Sequence, residues 1–165
     1  MAEAIRAAAR TAVSSVFETM FFIALDFEAI DPVPLSQGEE GMLRGHIGIG
    51  GKAAGTLALD LPRPLLSMLT ANFLGLEESD VSPSQIEDMA GELTNMVAGN
   101  LFANLDRKNV YKLTPPETRW HPVEAEPVPA ETREIGLDFW AEGHKVALTL
   151  RLRGGDSGTG SDRLG

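Results

Sequence analysis

The sequence predicts an α+β domain with two long helices and one shorter helix packed on an antiparallel sheet. Two observations carry that expectation. Apolar residues recur at helical spacing over residues 2–25, 63–73 and 82–106, whereas the other apolar segments are short and extended. Extended runs are also joined by short glycine-bearing connections, Gly50-Gly51-Lys52 and Glu142-Gly143, which turn the chain back on itself. The resulting order is helix, hairpin, two helices, antiparallel run.

The first helix spans Ala2 to about Leu25, with Ile5, Ala8, Ala9, Ala12, Val13, Val16 and Met20 at helical spacing. Phe21, Phe22 and Ile23 are apolar all round, so this end is expected to be buried. Asp31-Pro32 and Pro34 separate the helix from the first hairpin, and Phe27 to Val33 is a candidate short strand. Strands are expected at Met42–Gly50 and Gly55–Leu61, where Leu57, Leu59 and Leu61 alternate with Thr56, Ala58 and Asp60. Gly50-Gly51-Lys52 leads into a strand and lacks the GKS or GKT of a phosphate loop, so it reads as a turn. The second helix, Arg63 to Phe73, begins after Pro62 and stops at Gly75; acidic Glu77 to Val81 links it to the third.

That third helix is the most informative stretch. Ser82 as N-cap, Pro83 at the first helical position and Gln85 three residues after Ser82 predict a capping box. Glu87 and Asp88 suit the positive end of the helix dipole, Arg107 and Lys108 the negative end, and Asn109 can supply a left-handed stop. Ile86, Met89, Ala90, Leu93, Met96, Val97 and Leu101 form an apolar stripe. At about 100° per residue, Asp88, Glu92, Asn95, Gly99, Phe102 and Asp106 fall on the opposite side. Gly99 costs about 1 kcal/mol relative to alanine and has no local reason to be there. Spacing alone leaves two readings open. Either Gly99 packs the helix on a neighbour and Glu92 and Asn95 are ordinary surface residues, or the glycine admits an incoming molecule beside a functional pair.

Beyond this helix, Val110–Leu113, Arg119–Glu126, Glu131–Trp140 and Lys145–Arg153 read as extended. The domain is expected to occupy residues 1–153, with residues 154–165 (GGDSGTGSDRLG) a tail too polar to bury.

Composition narrows the function. The 165 residues are 43% hydrophobic, enough for one domain with a sizeable core. A formal charge of −10 opposes binding to nucleic-acid phosphates and suits a basic protein partner or simple solubility. There is no cysteine, which excludes disulfides and thiolate catalysis. With no leader-like start and no apolar run of membrane-spanning length, the chain is expected to be cytoplasmic and not bound to membranes. His46, His121 and His144 lack metal-ligand spacing, Ser14-Ser15 lacks a nucleophile elbow, and Trp120 and Trp140, without basic interleaving, do not suggest base stacking.

The run EDMAGELTNMVAGN resembles the signature helix of the CheC/CheX/FliY family of chemotaxis phosphatases, closest to its CheX-like branch. Asp88, Glu92 and Asn95 match the helical part of that signature, and Pro115 and Pro116 stand near its later proline. The hairpin IGIGGKAAGTLALDL, the helix ending NFLG and the run TPPET sit where CheX relatives have their counterparts. In the first helix, Ser14 and Glu18 repeat the motif, but Phe21 replaces its asparagine; this implies an internal duplication with one complete site.

The resemblance implies hydrolysis of the aspartyl phosphate of a CheY-like response regulator. Asn95 would orient the attacking water, and Glu92 would dock on the regulator's lysine. It also implies a divalent ion, Mg²⁺, held by the partner and no cofactor on this chain, close approach at Gly99 and Ala98, and a homodimer through sheet edges. Thr94 stands where many relatives have glycine. The alternative is a non-catalytic adaptor that docks on a response regulator or other signalling protein.

Overall fold

Strands with period-two alternation bury one face only, and something must cover that face. Here three helices do. The structure, a computed structural model, describes residues 2–29, 41–105 and 111–154. In chain order the elements are α1 (Ala2–Phe21), β1 (Met42–Gly51), β2 (Ala54–Pro62), α2 (Arg63–Leu74), a 3₁₀ turn (Glu78–Asp80), α3 (Pro83–Leu105), β3 (Tyr111–Leu113), β4 (Glu117–Trp120), β5 (Arg133–Ala141) and β6 (His144–Arg153). All strand pairs are antiparallel, in the order β3-β1-β2-β6-β5, with β4 also on the outer edge of β1. The α+β expectation holds.

The alternation decides the faces. Leu43, Ile47, Leu57, Leu59, Leu61, Ile135, Phe139, Val146, Leu148 and Leu150 are buried under the helices, each contributing roughly 1.5–3 kcal/mol. Arg44, His46, Asp60, Glu134 and Arg151 alternate with them onto the other face. There Arg44 grips Asp60 through two bonds of 2.8 and 3.0 Å, and His121 Nε2 lies 2.7 Å from the same carboxylate. Burial disfavours the charged Asp60, but bonding to Arg44 and His121 outweighs it and holds the carboxyl below its ordinary range.

An internal two-fold arrangement relates the halves. The hairpins β1-β2 and β5-β6 meet through the β2–β6 pair. Each long helix precedes one hairpin and packs over the outer strand of the other, α1 on β5 and α3 on β1. The segments after the helices match too: Asp26 bridges Trp140 on the edge of β5, as β3 and β4 do on β1.

Several expectations change. The first helix stops at Phe21, because Phe22 turns left-handed (φ 57°) and the Ile23 N–H donates to the Phe17 carbonyl. Phe22 is exposed, not buried. The strand expected at Phe27–Val33 is reduced to the single bridge at Asp26; no strand occupies residues 27–29, and residues 30–33 lie outside the described residues. The extended run expected at Arg119–Glu126 ends as a strand at Trp120; one further bond joins the His121 N–H to the Met42 carbonyl (2.9 Å), and residues 123–126 then lie over the polar face of the sheet. The first hairpin turns at Lys52-Ala53, with Gly50 and Gly51 still in β1. The 142–143 turn is as expected, both residues having positive φ. The basic end of α3 at residues 107–109 and the tail from residue 155 lie outside the described residues.

Candidate functional site

The start of α3 is fixed by its sequence. The Ser82 N–H donates to Gln85 Oε1 (2.9 Å) and the Gln85 N–H to Ser82 Oγ (3.2 Å), the reciprocal capping box. Its buried stripe, Ile86, Met89, Ala90, Leu93, Val97 and Leu101, packs on the sheet and on the other helices.

One close approach sets its height, and an ordinary packing contact flanks it. Thr94 is fully buried and seated over Gly45 of β1, and its hydroxyl donates to the Ala90 carbonyl (2.7 Å). A Cβ at Gly45 would collide with Thr94 Oγ1 and lie 3.0 Å from the Ala90 carbonyl. Glycine is therefore required in β1 for the helix to come this close. Gly91 faces Pro116, whose Cγ would lie 3.7 Å from an added Cβ. Pro116 is itself held in place, because Thr114 exchanges bonds with the Gly48 backbone at 2.8 and 2.9 Å. The TPPET turn thus lies alongside the helix one residue before Glu92.

With the helix so held, Asp88, Glu92, Asn95 and Gly99 all face solvent. Glu92 and Asn95 are one turn apart, a rise of about 4.5 Å. Among the described residues neither has a hydrogen-bond or ion-pair partner in the chain. An added Cβ at Gly99 would meet nothing within 4 Å, so helix packing does not explain this glycine. Ala98, by contrast, is fully buried and takes no part in the outer surface. Phe102 also leaves the expected outer face; it is buried and meets the Tyr111 ring at 4.8 Å between centroids. Asp106 lies outside the described residues.

Glu92 and Asn95 lie on an exposed helix face. A cavity of about 290 Å³ opens on the polar face of the sheet, lined by Arg44, His46, Arg119, Glu126 and Arg151 among others, and a shallow depression follows the outside of α1 at Arg10, Ser14 and Glu18. Neither includes Glu92 or Asn95. Among the described residues, no group of three or more His, Asp and Glu side chains is placed to hold a metal ion.

Comparison with known proteins agrees with the fold. The family described as chemotaxis phosphatase CheX matches residues 43–123, from β1 through α3 to just past β4. This chain is CheX-like. Among solved structures it superposes on the chemotaxis protein CheX from Vibrio vulnificus with a TM-score of 0.72 at 20% identity, covering 90% of this chain and 96% of that one. CheX from Desulfovibrio desulfuricans gives 0.69 at 19% identity, covering 90% and 99%. The CheX-CheY-BeF3-Mg²⁺ complex from Borrelia burgdorferi gives 0.64 at 17% identity, covering 89% and 96%. No curated protein matches the sequence.

Within the CheX-like fold, the Thr94 that departs from the family pattern points away from the outer surface and into β1. Sequence reasoning missed this peg and its Gly45 socket. The signal that could have found it is a glycine in the middle of an alternating strand, which often marks close backbone approach.

Proposed function

We propose that the chain hydrolyses the aspartyl phosphate of a CheY-like response regulator, with Asn95 and Glu92 as the acting pair. The observation that carries this reading is the exposure of a carboxamide and a carboxylate, neither partnered among the described residues, on the outer face of a helix seated closely on β1. An exposed helix face does not enclose a small substrate, but it can enter the concave active site of another protein.

An acyl phosphate is ready to hydrolyse, so catalysis is mainly positioning. Water adds to phosphorus, the bond to the aspartyl oxygen breaks, and the carboxylate leaves as inorganic phosphate is released. Asn95 holds the water in line. Its amide both donates and accepts, and it brings no negative charge to the phosphoryl group. Glu92 pairs with the regulator's lysine and fixes register. Gly99 lets the partner's backbone come close. The divalent ion belongs to the regulator, and the chain contributes no cofactor. Homodimerisation through a sheet edge belongs to the same proposal. The outer edge of β5 is the candidate, since Asp26–Trp140 is its one bridge among the described residues.

The test uses phosphorylated receiver domains with Mg²⁺. The chain should speed phosphate loss, and Asn95→Ala should reduce the acceleration about 100-fold or more, the scale for losing one positioned polar group. Glu92→Lys should weaken docking as well as turnover. An unchanged rate in Asn95→Ala contradicts the assignment.

A further inference from the structure

The described residues leave five large apolar side chains exposed, and four of them lie at two adjoining helix ends. Phe22 follows α1 and is 90% exposed; Phe73 (54%), Leu74 and Leu76 close α2. The ends meet through the rings of Phe21 and Phe73, packed edge to face at 6.3 Å between centroids.

Phe22 brings its own chain little. Its φ of 57° is a left-handed conformation that bulky residues rarely take. At the equivalent turn α2 uses Gly75, with φ 70° and a second bond from the Leu76 N–H to the Ala71 carbonyl. The result of using phenylalanine at the end of α1 is a ring held out in water. Strained, exposed aromatics of this kind point to a contact made outside the chain.

Charge indicates the partner. Residues 18–29 and 71–82 carry Glu18, Asp26, Glu28, Glu77, Glu78 and Asp80, all exposed, and no lysine or arginine. Arg10, about two turns before Glu18 on α1, is engaged over the Phe27 ring. An apolar patch inside an acidic rim repels a second copy of itself and an anionic lipid surface alike. It complements a segment that offers apolar side chains flanked by lysine or arginine.

We propose that the patch formed by Phe22, Phe73, Leu74 and Leu76 docks a cationic amphipathic segment of a partner protein. The four residues belong to α2 and to the segments that follow α1 and α2, whereas Glu92 and Asn95 are on α3, and the proposal stands or falls independently of the phosphatase reading.

Titration of the ¹⁵N-labelled full chain with a synthetic helix-forming Leu/Lys peptide tests it. Amide shifts should centre on residues 18–28 and 72–80, and the affinity should fall as salt is raised. Phe22→Ser should weaken binding at least ten-fold with an otherwise unchanged spectrum, since the exposed ring supports no packing. Val128→Ser, at the fifth exposed apolar residue, should bind as the parent does. Shifts elsewhere, parental affinity in Phe22→Ser, or equal binding of a Leu/Glu peptide would overturn the proposal. So would Phe22-dependent dimerisation or Phe22-dependent binding to phosphatidylglycerol vesicles.

Discussion

On α3, Glu92 and Asn95 stand in solvent, and the helix runs nearly three further turns, to Leu105, before the described segment ends. On α1, at the matching place over the sheet, Glu18 is also exposed, but Phe21 is the last helical residue. The Phe21 ring leans on Phe17 at 5.8 Å and on Phe73 at 6.3 Å, and the next residue leaves the helix. The two copies therefore differ in more than one atom group. An amide that positions water needs a mount as well as the right side chain, and α1 has lost both. What remains there is a packed ring beside an exposed one.

Three sets of substitutions probe this difference. The largest effect is expected at the mount of α3. Gly45→Ala forces a methyl group into Thr94 and the Ala90 carbonyl, and should cost about 3 kcal/mol, the upper range for overpacking. Adding Thr94→Gly should recover part of that loss in denaturant melts. Failure of the second change to rescue the first would show that the peg and socket do not set the helix height.

A smaller effect is expected on α1. Phe21→Asn completes the motif in letters but removes a half-buried ring, at about 2 kcal/mol. In an Asn95→Ala background it should restore no phosphate release, because the position ends its helix. Restored activity would mean that the side chain alone makes the site.

The smallest effect belongs to Gly99. Gly99→Ala meets open space and should raise stability by up to about 1 kcal/mol in thermal melts. Gly99→Leu should raise KM for the phosphorylated regulator while leaving kcat nearly unchanged. A loss of stability in Gly99→Ala would point to a packing role instead.

Much of this contrast was legible in the sequence. Alternation placed the strands, and Ser82, Pro83 and Gln85 announced the capping box that the structure forms. Helical spacing put Glu92, Asn95 and Gly99 together on the side that proved to be solvent. The misses have physical causes. Angular spacing places Phe102 beside Asn95, but it cannot see that Tyr111 of the following strand closes over it. The apolar run through Ile23 has no glycine or proline to stop it, so the left-handed turn at Phe22 was invisible. Thr94 looked like a flaw in the outer motif because its partner, Gly45, is distant in sequence and adjacent only once α3 lies on β1.

The most direct measurement compares phosphate release from one phosphorylated receiver domain, with Mg²⁺, in the presence of the parent chain, Asn95→Ala and Glu18→Ala. With a single site on α3, Asn95→Ala loses the acceleration and Glu18→Ala keeps it. Equal loss in both variants, or retention in Asn95→Ala, would contradict a single site on that helix.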